Sequence, residues 1–272
     1  MNRARLAGVA DLDAVEAATI CVVGCGASVD LIVQLARFGA HHFVLVDPDV
    51  VAPENICRQG FYRQDIGSAK VDAVARRLHM VDETIDVCTI QQRFEPSEIG
   101  KADLFLSLTD STEASLAVNQ SALQQRSPAI WAGVYARGLA GEVAFWREGL
   151  PCFRCLFPHR VAHSARVSSA SVSIFDTAYI DAIVGHLAIG LLSGPNSRLG
   201  RMVAELKNRN FLRVKIDPSY DFLGRDVVRS RLGIAPDNAN YFGWCTSAES
   251  DPDGGVPPCP DCAVYQHQAI PA

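Results

Sequence analysis

The chain has 272 residues, 49% of them hydrophobic and 20% charged, with a formal net charge of −5. That balance predicts a globular protein with a sizeable core, built as one large domain or one with a small appendage. It excludes a basic field for nucleic acid, and "IDAIVGHLAIGLL", which carries Asp181 and His186, is too short to predict a membrane span.

The opening "MNRARLAGVADLDAVEAAT" lacks the apolar core of a signal peptide, so a cytoplasmic protein is expected. Nine cysteines, an odd count, then argue against a disulfide framework. In chain order, a strand is predicted over 20–23 and a helix over 28–38, with Leu31, Ile32, Leu35 and Phe38 at helical spacing. Gly39 ends that helix, and a second strand over 43–46 closes on Asp47. A polar segment, 48–67, leads into a helix over 70–78 with Val71, Val74, Ala75 and Leu78 on one face. Strands are predicted over 85–90, 104–108 and 129–134, with a helix near 113–125. Strands alternating with helices imply parallel pairing through right-handed crossovers: a doubly wound, Rossmann-like, mostly parallel sheet. Beyond it, "GLAGEVAFW" (138–146) alternates like a half-exposed strand, 174–192 reads as one long buried helix, and "FLRVKI" (211–216) as a short strand.

The motifs gather at the ends of the predicted strands. Gly24-Cys25-Gly26 follows the first strand, where glycines permit a tight turn and let phosphates approach backbone N–H groups at a helix start. Asp47 ends the second strand about 20 residues further on, where a carboxylate accepts hydrogen bonds from ribose hydroxyls. Between 47 and 70, "DPDVVAPENICRQGFYRQDIGSAK" places Asn55, Arg58, Gln59 and Lys70 beside that ribose position. Arg58 and Lys70 suit a polyphosphate, one as a fork and one as a mobile point charge, whereas Arg63 and Asp65 fit solvated surface charge better. Asp110 ends the strand "LFLSLTD" at the crevice edge, where a carboxylate beside a triphosphate holds Mg²⁺; capping the next helix is its competing role. "PCFRC" and "PCPDC" supply Cys152, Cys155, Cys259 and Cys262, four thiolates that suit a closed tetrahedral Zn²⁺ site tying the C-terminal region to the sheet. A redox dithiol is the competing reading of either pair alone.

As an ordered set, these motifs resemble the ThiF/MoeB/HesA family, relatives of the ubiquitin-activating enzymes. The resemblance runs through the turn at 24–26, "DPD" at 47–49, "ENICRQ" at 54–59, "DIGSAK" at 65–70, "TDS" at 109–111, "GVYARGLAGEV" at 133–143, "PCFRCL" at 151–156 and the closing "CPDC". It implies ATP-dependent adenylation of the C-terminal carboxylate of a ubiquitin-like sulfur carrier or a ribosomally made peptide, with release of pyrophosphate. It implies Asp47 on the ribose, Asn55, Arg58, Gln59 and Lys70 on phosphates, and Asp110 on Mg²⁺. It also implies a homodimer whose partner subunit lends an N-terminal arginine, Arg3 or Arg5. On this reading 1–150 is the nucleotide-binding region, and 151–272 holds a crossover segment, helices and the zinc knuckles of one continuous adenylation domain.

The family pattern G-x-G-G-x-G-[SN] meets Ala27, Val29 and Asp30 here. Val29 is expected to push the helix slightly outward rather than block phosphates. Asp30 keeps an alternative open, a scaffold or carrier-binding subunit that has lost ATP, since a carboxylate in the first turn repels phosphate if it points inward. A nicotinamide-dependent oxidoreductase needs only the glycine turn and Asp47, and leaves Arg58, Lys70 and both cysteine pairs without a role.

Overall fold

The computed structural model describes residues 3–162, 171–217, 241–245 and 259–262. Eight strands form one sheet in the order β3-β2-β1-β4-β5-β6-β7-β8. They are β1 (Thr19–Val23), β2 (His42–Val46), β3 (Asp86–Ile90), β4 (Leu104–Ser107), β5 (Ala129–Val134), β6 (Ala140–Trp146), β7 (Phe211–Lys215) and β8 (Tyr241–Cys245). From β3 to β5 every pairing is parallel; β6, β7 and β8 are added antiparallel. β1 and β4, in the middle, are apolar almost throughout and buried, as strands covered on both faces must be. The sheet passes residue 150 unbroken, because β7 returns to pair with β6.

The crossovers run through α2 (Val29–Phe38), α3 (Lys70–Val81) and α4 (Thr112–Gln125). Gly39 ends α2 at φ 127°, donating its N–H to Leu35 and Ala36. α2 packs on α3, and both belong to one helical layer with α7 (Ile174–Leu192) and α8 (Arg198–Glu205). α4 lies with α5 (Phe153–Leu156), which runs on into α6 (Pro158–Ala162). Right-handed crossovers that leave β1 and β4 in opposite directions place α2 and α4 on opposite faces, which opens a crevice between those strands' carboxyl ends.

α7 opens on a capping box in which Ser173 and Asp176 accept each other's backbone N–H, at 3.2 and 2.8 Å. At 19 residues it is long and apolar enough to cross a membrane by length and composition, which the shorter apolar run did not predict. Its contacts with β5, β6, α2 and α8 account for that apolarity as core packing. The short α1 (Leu12–Ala17), capped by Asp11, together with α8 and β8, are elements that no sequence pattern announced.

Candidate functional site

The crevice is a cavity of ≈ 610 Å³ at the carboxyl edge of the parallel strands. That volume suits a nucleotide-sized ligand. Gly24, Asp47, Arg58, Gln59, Lys70 and Asp110 all line it, although they come from three different connections.

The turn after β1 is fixed tightly. Gly24 has φ +94°, and a Cβ there would sit 2.7 Å from the Leu108 carbonyl oxygen, so only glycine lets β1 and β4 approach this closely. Asp47 is buried beneath the turn, accepting from the Cys25 N–H at 2.7 Å and the Asp49 N–H at 2.9 Å. Burial pushes its carboxyl above the usual range, while those two N–H groups and Lys70 pull against the rise. Gln59 packs on Gly26, and its Oε1 is buried with no partner among the described residues, an acceptor waiting for a donor.

Lys70 is buried and reaches Asp49 at 2.7 Å, so its ammonium is held at the cavity wall rather than in solvent. Asp49 is a partner that the sequence motif did not single out. Asp110 stands exposed at the rim. The neighbouring Ser111, not Asp110, caps α4 by accepting the Ala114 N–H at 3.2 Å. Asn55 is placed differently from the other predicted phosphate ligands. It is buried, its side-chain oxygen accepts the Ala52 N–H at 2.9 Å, and its carbonyl accepts from Gln59 at 2.8 Å. It shapes the loop that presents Arg58 and Gln59, and it does not line the cavity. Arg3 is engaged within its own chain, 2.5 Å from Glu16.

One expectation about charge is corrected. Asp65 is not solvated surface charge: it is buried and accepts from Arg76 at 3.1 Å, Arg77 at 3.2 Å and the Tyr62 N–H at 2.9 Å. Burial alone raises such a carboxyl, yet the N–H and the two guanidiniums outweigh it and hold Asp65 below the ordinary carboxylate range. Asp30 does not enter the cavity. It is exposed, with its carboxylate over Gly60, where a Cβ would meet Asp30 Oδ1 at 2.8 Å and Val29 Cβ at 3.0 Å. Gly60 thus gives the space that Val29, fully buried, takes up at the start of α2.

The far wall comes from the second half of the chain and escaped the sequence reading. Glu142 on β6 is buried and takes hydrogen bonds from Tyr135 and from Arg160 on α6. Burial and the Glu142 charge push the Tyr135 phenol well up, so it stays a donor. Arg160 stacks 4.4 Å over Phe157, which packs on Phe153, and Glu142, Phe153, Phe157 and Arg160 all face the cavity. Asp181 from α7 completes the wall. The "GEV" of "GLAGEV" was the one available signal, a carboxylate inside an otherwise apolar strand.

The four cysteines Cys152, Cys155, Cys259 and Cys262 converge, with all their sulfurs within 4.8 Å of one another. Neighbouring Sγ atoms are 3.5 to 3.9 Å apart. The edge of a tetrahedron with Zn–S bonds of about 2.3 Å is about 3.8 Å, so the donor set and its spacing fit a zinc ion. Around it, Arg154 pairs with Asp261 at 2.7 Å, and Asn119 on α4 accepts the Phe153 N–H at 3.0 Å, joining both knuckles to the sheet domain.

A model of the ThiF family matches residues 1–219. The chain is 26% identical over 193 residues to the sulfur carrier protein ThiS adenylyltransferase of Escherichia coli (strain K12), covering 67% of this chain and 75% of that protein. It is 29% identical over 145 residues to the adenylyltransferase and sulfurtransferase UBA4 of Yarrowia lipolytica, covering 51% of this chain and 36% of that one. The chain therefore spans little more than a third of that longer relative. Among solved structures, E. coli MccB with ATP aligns with a TM-score of 0.66 at 18% identity, over 92% of this chain and 68% of that one. PaaA aligns with a TM-score of 0.57 at 21% identity, over 67% and 58%. These likenesses are of fold, and the family match gives the oxidoreductase alternative no support. The chain belongs to the ThiF family.

Proposed function

We propose that this chain is an ATP-dependent adenylyltransferase that activates the C-terminal carboxylate of a ubiquitin-like sulfur carrier or a ribosomally made peptide. The observation that carries the reading is the convergence of the glycine turn, Asp47, Arg58, Gln59, Lys70 and Asp110 on one nucleotide-sized cavity. The ThiS adenylyltransferase similarity, which covers two thirds of this chain, supports the sulfur-carrier acceptor; the MccB fold supports the peptide.

In this mechanism an acceptor carboxylate oxygen attacks the α-phosphorus of ATP, the bond to the bridging oxygen breaks, and pyrophosphate leaves. No protein nucleophile is needed; the work is positioning and fixed charge. Asp47 accepts from the ribose with what its two N–H contacts leave free. Arg58 and Lys70 face the charge that grows on the phosphate oxygens, and Asp49 holds the Lys70 ammonium at the wall until phosphates share it. Asp110, a hard carboxylate at the rim, would hold Mg²⁺, which would supply charge neutralisation to the phosphates. The cysteine cluster would hold a structural zinc. We place the acceptor tail along the far wall, against Phe157 and the Glu142–Arg160 pair. A homodimer is part of the proposal, although Arg3 is already bound to Glu16 in its own chain. The scaffold alternative drew on Asp30, whose carboxylate lies over Gly60 and outside the cavity.

The deciding experiment is ATP–pyrophosphate exchange by folded, zinc-loaded protein with Gly-Gly-ended carriers and short peptides. Exchange that depends on one of these acceptors is the expected result; none with any of them, and no binding of Mg·ATP, would falsify the proposal.

A further inference from the structure

The turn between β1 and α2 has two ends, and the structure anchors both to buried carboxylates. At the first, Asp47 holds the Cys25 N–H. At the second, the Ser28 hydroxyl donates to Asp181 Oδ1 at 2.8 Å, with both side chains buried. The partners are 153 residues apart, and the bond ties α7 to the phosphate-facing turn. It depends on a close helix crossing. Gly185 lies one turn after Asp181, and a Cβ there would stand 3.3 Å from Leu31 of α2.

The consequence falls on the start of α2. Ser28 occupies the N-cap position with φ −95° and ψ 27°, and its side chain, turned toward Asp181, caps no helix N–H. Gly24, Ala27 and Ser28, just ahead of α2, line the cavity, so the start of the helix is turned toward whatever enters it. Beside it the buried side chain of Gln59 also lines the cavity, its Oε1 without a partner among the described residues and so open to a donor group of the ligand rather than to its phosphates. A charged carboxylate here would oppose a phosphate, and the environment acts against that charge. Burial pushes Asp181 up to about 7, the Ser28 hydroxyl draws it down, and the Asp30 charge adds to the rise.

We infer that Asp181 is a positioning residue for the nucleotide's phosphates, acting through Ser28 to hold the far end of the glycine turn open and aimed into the cavity. The inference rests on the ATP reading above. It concerns phosphates and not the base or ribose, so its test compares ATP with adenosine.

Calorimetric titration of zinc-loaded wild type, Asp181→Ala, Asp181→Asn and Ser28→Ala with Mg·ATP and with adenosine separates the possibilities. Asp181→Ala and Ser28→Ala each remove the same bond, so each is expected to weaken Mg·ATP about tenfold while leaving adenosine within about twofold. Asp181→Asn keeps an acceptor for Ser28 and is expected to bind ATP as wild type or tighter. Should Asp181→Ala fail to fold, the contrast between Ser28→Ala and Asp181→Asn carries the test. Equal weakening of ATP and adenosine, or ATP affinity unchanged in both variants that lose the bond, overturns the role of Asp181 and leaves the nucleotide reading standing. A wild type that binds no Mg·ATP rejects both together.

Discussion

The nucleotide-side wall of the cavity and the wall opposite are assembled in different ways. Gly24, Asp47, Arg58, Lys70 and Asp110 all sit in connections that leave parallel strands at one edge, so the topology of the sheet brings them together. Glu142, Phe153, Phe157, Arg160 and Asp181 come from an antiparallel strand, two short helices and a long one, and reach the cavity only through long-range ties. Those ties are a buried ion pair, a buried Ser–Asp bond and four convergent thiols. The first wall follows from the fold itself, whereas the second exists only while specific pairs stay intact. Mutation should therefore separate them: on the first, function is lost with the fold kept; on the second, the fold gives way as well.

The largest effect is expected at the cysteines. Purified protein should carry one zinc per chain by elemental analysis, and Cys155→Ser should lose it and lower Tm by more than ~10 °C, because metal binding here is also folding energy. A metal-free wild type with the same Tm as the loaded one would remove zinc from the account of the far wall. Next is Glu142→Ala, which leaves Arg160 buried without its partner. A cost of about 3–5 kcal/mol, near 10 °C in Tm, is expected from thermal unfolding. Changing both residues to apolar ones should restore much of that loss, since the penalty belongs to the unpaired charge.

On the nucleotide wall the contrast should reverse. Arg58→Ala and Lys70→Ala are each expected to cut ATP–pyrophosphate exchange by about 10²–10³. Arg58→Ala should keep Tm within about 2 °C of wild type. Lys70→Ala should fall somewhat further, because Lys70 is buried against the side chain of Asp49. A large loss of Tm in Arg58→Ala would erase the distinction between the walls, and near-wild-type exchange in either variant would refute the assigned roles.

The same difference decides what could be read from the sequence. The order of strands and helices through residue 134 was legible because buried parallel strands are continuous apolar runs and their helices carry an apolar stripe. Of the cavity-lining candidates, Gly24, Asp47 and Asp110 stood out because each follows a strand end, and Arg58, Gln59 and Lys70 stood out through the motif order of the long connection after β2. Asp65 misled because its chemistry is that of any surface acid; only the approach of Arg76 and Arg77 from α3 makes it structural. Asp30 and Val29 looked like damage to the glycine fingerprint because Gly60, the residue that makes room for them, lies thirty positions away from Asp30. Asp181 was seen only as an interruption of an apolar helix, Glu142 only as a carboxylate within an apolar strand, and Arg160 carries no local pattern at all. Pairs whose members meet through tertiary packing leave no spacing rule to find.

The smallest and most specific prediction concerns Asp181 and pH. Its carboxyl is raised to about 7 in the folded chain, chiefly by burial, against an ordinary value near 4 once unfolded. The folded state therefore binds the proton more tightly, and ∂ΔG/∂pH is negative between those two values. The stabilising contribution is fully present below about pH 4 and is lost as pH rises through about 7. Because Asp181 borders a cavity, water relieves part of the cost of charging it, and about 1–2 kcal/mol is expected to separate the two ends of that window. Urea unfolding of wild type and Asp181→Asn at steps from pH 5 to 8 reads it directly. The variant, with nothing to titrate, should gain on wild type as pH rises; parallel curves would place the Asp181 carboxylate in a wetter site than the packing of α7 on α2 describes.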